Sequence, residues 1–153
     1  ATDLRIVSAA LRMISDLERI GDQAADIAEL TPYITEETAQ KDLPISQMAR
    51  CAVSMVTGSV DAFVREDLDL ARKIIQEDDQ VDAYFSEIKE ELIRCIVEKT
   101  IEPKAVLDLL MAAKYFERIG DHAVNVAEWV EYSITGVHKS SEHHGIGFYE
   151  ENA

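Results

Sequence analysis

The apolar positions of this chain recur at helical spacing almost from end to end, and no alternating strand pattern competes with them. The first periodic stretch covers roughly 3–30, with Thr2 and Asp3 as N-cap candidates and Pro32 as its stop. The polar segment TEETAQKDLP leads to a second helix over about 45–65, whose apolar line is Met48, Ala52, Met55, Val56, Val60, Phe63 and Val64. After a short turn, RED at 65–67, a third helix runs over about 68–99 on a seam of Leu68, Ala71, Ile75, Phe85, Ile88, Leu92 and Ile96. Pro103 suits the first turn of a fourth helix, about 103–135, which Gly136 ends. Long helices joined by short turns predict an all-α, antiparallel bundle of four helices.

Two of these helices are copies. ERIGDQAADIAE at 18–29 and ERIGDHAVNVAE at 117–128 agree at eight of twelve positions, at an offset of 99. Self-similarity at a fixed offset marks two copies of one supersecondary unit. The second copy reads as a complete three-helix repeat over 45–136. The first is represented by its last helix alone, over 1–31, with 32–44 as connector, so two more helices are expected upstream. The first helix would then expose Val7, Leu11, Ile14 and Leu17, which must pack on the bundle, in a swapped dimer, or against that upstream segment. The tail 137–153 has no helical stripe and reads as a mobile end, although His138, His143 and His144 offer loose metal ligands.

Charge narrows the function. The 153 residues carry 30 acidic and 15 basic side chains, a formal net charge of −15. That field disfavours nucleic acid and anionic membrane surfaces and attracts cations and basic protein surfaces. There is no apolar run long enough for membrane insertion and no signal-peptide pattern, so the cytoplasm is the default compartment. Cys51 and Cys95 form no CxxC motif and read as buried, reduced core thiols.

The acids have a pattern of their own. Residues i and i+4 share a helix face, which stacks Glu117, Asp121 and Asn125, with Glu128 near the same line. In the first helix the line is Glu18, Asp22 and Asp26, with Glu29 beyond. In both copies carboxylates continue a stripe that is otherwise core-facing. In EDDQVD of the third helix, Asp78 and Asp82 interrupt the seam between Ile75 and Phe85. If the third and fourth helices are neighbours, Asp78 and Asp82 can face Glu117 and Asp121. Four converging carboxylates with no obvious cation among them make a hard oxygen site, suited to Mg²⁺, Mn²⁺, Fe or, less typically, Zn²⁺. A mid-helix glycine costs about 1 kcal/mol relative to Ala. Having one in each copy, Gly21 and Gly120, predicts the close approach of a neighbouring backbone. The bland alternative is a solvated acidic face partnered by Arg19 or Arg118. No ExxH, HExxH, GxSxG or phosphate-binding glycine loop is present, and Tyr115, Trp129 and Tyr132 read as core and rim.

The duplicated ERIGD with EDDQVD before its second copy resembles PhoU, the phosphate-uptake regulator family, over residues 1 to about 136. The resemblance implies two tandem three-helix bundles and a cytoplasmic, non-catalytic adaptor that lowers phosphate uptake and the phosphate-starvation response. It implies two partners, the ATPase subunit of the phosphate ABC transporter and a sensor histidine kinase, and a homodimer or higher oligomer. Members with multinuclear iron or zinc clusters make iron or zinc the first expectation for the metal, with Mg or Mn next. Carried over, the ligands are Asp78, Asp82, Glu117 and Asp121, with Glu18 and Asp22 as half of a second site and Asn125 and Asp26 as additional polar ligands. A carboxylate-bridged hydrolase using a metal-activated water and a metal-free helical interaction module are the competing readings.

Overall fold

A computed structural model describes residues 1–34 and 43–138. Most of the predicted connector and all of the tail beyond His138, including His143 and His144, lie outside the described residues. The four predicted helices are present: α1 (Thr2–Leu30), α2 (Ile45–Arg65), α3 (Leu68–Glu98) and α4 (Pro103–Thr135), with a 3₁₀ turn at Thr31–Tyr33 that contains Pro32.

The helix ends show which local signals were used. Neither Thr2 nor Asp3 caps α1; it starts at Thr2 behind Ala1, with no side-chain cap. Asp67 does cap α3, its Oδ1 accepting from the Leu70 amide at 2.9 Å, as an Asx side chain in an extended backbone can. Helices α2 and α3 end on Glu66 and Lys99 at φ 52° and 55°, left-handed stops made without glycine. Gly136 ends α4 at φ +78° and has a second reason to lack a side chain: a Cβ there would lie 2.7 Å from Arg5 Nη1. Arg5 donates through Nε to Ser133 O at 3.1 Å, setting a cation on the carbonyl end of α4.

Helix α4 is central and packs against each of the other three. Its small buried residues, Ala112, Ala113, Gly120, Ala123 and Ala127, allow three neighbours to come close. The main core joins Met48 and Met55 of α2, Val81, Ile88, Leu92 and Cys95 of α3, and Val106, Leu109 and Ala123 of α4. Burying side chains of this size contributes about 1.5–3 kcal/mol each. A second cluster joins Met13 of α1 to Ala62, Ala71, Val126 and Val130. Two seam assignments change: Val64 and Ile96 are exposed, and Ala62 and Cys95 take the inward positions instead. Cys95 is one position and Ala62 two positions before the residue expected, so the buried face near the end of each helix is rotated from the predicted line. Both cysteines are free, Cys95 buried and Cys51 only partly so.

Helix α1 runs antiparallel along α4, as the pairs Arg5–Ser133, Arg12–Trp129 and Asp16–His122 require. Only Ala9 and Met13 are buried on it. Leu4, Val7, Leu11 and Ile14 are 53–75% exposed and share one face. Leu17, expected on the same exposed stripe, packs against the second cluster instead. One offset of 99 later, α4 carries Val106, Leu110 and Ala113, all in the main core. The face that α2 and α3 cover on α4 is therefore open on α1.

Candidate metal centre

The neighbouring rods α3 and α4 turn acids toward one another. Asp78 and Asp82 are one helical turn apart on α3, with buried Val81 between them. On α4, Gly120 fills the matching position beside Asp121. A Cβ at Gly120 would stand 3.3 Å from Val81 Cγ1 and 3.6 Å from Asp78 Oδ1. The absent side chain thus lets α3 settle close enough for carboxylates of both helices to meet. One oxygen each from Asp78, Asp82 and Asp121 lies within 4.8 Å of the others.

This arrangement is electrostatically expensive. Asp78 Oδ1 is buried and accepts no hydrogen bond. Burial first, then the charges of Asp82 and Asp121, raise the Asp78 carboxyl to about 7. Asp121 is raised to about 6, again by desolvation first and then by Glu117 and Asp82, while Lys114 and His122 draw it back. Ionised carboxylates this close repel, and neutrality is restored by a proton or a cation.

The residues present fit a hard cation. All donors are carboxylate oxygens, as Mg²⁺, Mn²⁺ or ferric ion prefers. Oxygens bound to one ion at about 2.0–2.4 Å lie no more than about 4–4.8 Å apart, which the trio satisfies. The buried oxygen of Asp78 supplies the unfilled acceptor.

Glu117 is beside this group without belonging to it. Its Oε2 accepts from Lys114 Nζ at 2.8 Å. A cation therefore does stand among the acids, contrary to the sequence expectation; Lys114, one turn before Glu117, was the readable signal. Asn125 does not join the acids either. Its Nδ2 donates to Asp16 Oδ1 at 3.2 Å, and His122 Nδ1 lies 3.0 Å from the same oxygen. Asp16, Asn125 and His122 thus tie α4 to α1, a link that the sequence reading missed because its only trace is one acid on the inward side of α1. Glu131, also unforeseen, is buried on an Arg72 Nε contact of 3.0 Å.

On α1, Glu18 and Asp22 are exposed and Asp26 is half-buried, and none of them shares the oxygen cluster. Gly21 has no atom within 4 Å of the place a Cβ would take, so the close approach expected there is absent, and at Gly120 it is made by side chains rather than backbone. Trp129 and Tyr132 meet edge to face at 5.6 Å on the rim of the α1–α4 seam. No described helix is long and apolar enough to cross a membrane.

The profile of the PhoU domain matches residues 1–31 and 45–130. Among curated proteins, a phosphate-specific transport system accessory protein PhoU homolog of Clostridium acetobutylicum is 36% identical over 137 residues, covering 89% of this chain and 63% of that protein. A homolog of the same description from Pseudomonas aeruginosa is 35% identical over 138 residues, covering 89% and 57%. The crystal structure of PhoU from Pseudomonas aeruginosa superposes with a TM-score of 0.79 at 33% identity, over 90% of this chain and 66% of that one. The phosphate transport system regulatory protein PhoU from Streptococcus pneumoniae gives 0.82 at 28% identity, over 92% and 67%. The chain spans about three-fifths of the length of the curated relatives it matches.

Proposed function

The chain belongs to the PhoU family, and from that premise we propose that it is a metal-binding adaptor, without catalysis of its own, that restrains phosphate uptake and the phosphate-starvation response. Its relatives are named as accessory and regulatory proteins of phosphate transport. The proposed partners are the cytoplasmic ATPase subunit of the phosphate ABC transporter and a sensor histidine kinase, which place the action of the protein in the cytoplasm. The strongly acidic surface suits basic patches on either.

The observation that carries the metal reading is the buried, unpartnered Asp78 Oδ1 inside a group of carboxyls raised toward neutral pH. Asp78, Asp82 and Asp121 would hold the ion, with Glu117 at its margin. Bound there, the ion would supply positive charge and pin α3 to α4, a structural or regulatory service rather than a reaction. Iron, zinc, manganese and magnesium are the candidates. Elemental analysis of protein reconstituted with each in turn tests this. We expect near-stoichiometric metal in the wild type and a marked loss in Asp82→Ala; wild-type protein that stays metal-free with all four would end the reading. Co-purification with the transporter ATPase tests the adaptor role separately.

We further propose that residues 45–136 are one complete repeat and that α1 closes a preceding one, with Glu18 and Asp22 as half of its own acidic site. The open stripe of Leu4, Val7, Leu11 and Ile14 then suits either a helix pair like α2–α3 or a second copy in a homodimer. Replacing Leu11 and Ile14 together by Gln should change the stability of the monomer by less than about 0.5 kcal/mol each, because both are already exposed. The same change should reduce self-association in sedimentation velocity. An unaltered dimer would locate the contact elsewhere.

A further inference from the structure

Lys114 stands beside the acidic group, and the metal reading does not use it. We propose that Lys114 is a tethered cation that holds Glu117 at the margin of the group and surrenders this carboxylate when a divalent ion enters, so that ammonium and metal compete. The inference rests on the metal reading and deepens it.

Three observations support it. The Lys114 ammonium is bonded to Glu117 at 2.8 Å, with the glutamate side chain only 18% exposed. That pairing coincides with the exclusion of Glu117 from the three-oxygen cluster, although the charge of Glu117 is felt at both Asp78 and Asp121. Lys114 also helps to hold the Asp121 carboxyl down, so its charge reaches the group beyond its own partner. The ammonium keeps a second partner on release. It already lies 5.2 Å from the centroid of the Phe85 ring on α3, a ring that Lys89 also approaches, at 5.7 Å, and a cation over an aromatic ring is attracted even when partly hydrated. On this reading, movement of the Lys114 side chain frees Glu117 as a fourth carboxylate.

Calorimetric titration with Mn²⁺ tests the competition on folded protein. Lys114→Met keeps the length and apolar stem and removes the charge. It should bind Mn²⁺ about three- to tenfold more tightly than the wild type, the effect of deleting one competing unit charge near a partly hydrated site. Lys114→Arg should stay near wild type. In a Glu117→Gln background the Lys114→Met gain should shrink, because the carboxylate released is no longer there to be used. Equal or weaker binding by Lys114→Met, with wild type binding normally, overturns the competition and leaves the metal site standing. Wild type that binds no metal overturns both.

Discussion

Freed of metal at pH 8, Asp78→Asn should melt above the wild type by about 3–6 °C, and saturating metal should reverse that order. The sign follows from proton linkage. The carboxyl of Asp78 sits at about 7 in the folded protein against an ordinary 3.8, so the folded state binds more protons between about pH 4 and 7. Stability therefore falls as pH rises through that window. The penalty is absent below about pH 4 and complete above about pH 7; for Asp121, raised to about 6, it is complete a little earlier. Allowing for the hydration that reaches half-buried Asp78, removing it should recover about 1–2 kcal/mol. For a chain of this size that is the stated shift in melting temperature. At pH 4.5 the gap between the two proteins should be much smaller. A divalent ion at about one hundred times its dissociation constant adds about 2.7 kcal/mol to whichever protein binds it, which should be the wild type only. Thermal scans at both pH values, with and without Mn²⁺, read all four corners. A wild type more stable than Asp78→Asn at pH 8 without metal would show that the acids are not strained against one another. Groups that cost stability when empty and restore it when filled are typical of functional sites.

The two motif glycines should respond in opposite directions. Gly120→Val forces branched carbon into a space where even a Cβ would lie 3.3 Å from Val81 and 3.6 Å from Asp78 Oδ1. Overpacking between two rigid helices costs about 1–3 kcal/mol, and the β-branched side chain forfeits most of the helix-propensity advantage over Gly. We expect a loss of about 2–3 kcal/mol in urea unfolding and weaker metal binding, because α3 and its two aspartates must move away from Asp121. Gly21→Ala meets nothing within 4 Å and should gain about 1 kcal/mol from helix propensity alone. Equal effects at the two positions would mean that the close contact between α3 and α4 is not what Gly120 serves.

The contrast shows what a repeat in sequence can and cannot convey. Both ERIGD segments lie inside helices, so Glu18 and Asp22 repeat the spacing of Glu117 and Asp121. Identical segments do not guarantee identical surroundings. Both Asp22 and Asp121 are exposed, but Asp121 has Asp78 and Asp82 of α3 beside it and Asp22 joins no such group among the described residues. Spacing likewise brought Asp78, Asp82 and Asp121 into one group, because i and i+4 positions on adjacent helices have few ways to miss. The same rule placed Asn125 with them, and there it failed. Over two turns the acidic line rotates toward α1, and Asn125 meets Asp16 instead.

By itself the sequence determined the four helices, the short turns on either side of α3, the duplicated motif and the acidic pairs, because backbone periodicity and stop residues act within a few positions of one another. Tertiary structure decided the rest. It chose which face of α4 each neighbour covers, put Lys114 against Glu117, left the α1 stripe open and packed α3 against one motif glycine while leaving open space at its twin. These depend on the rotation of one rod against another. Small side chains far apart in the chain set that rotation together, and no local pattern records it.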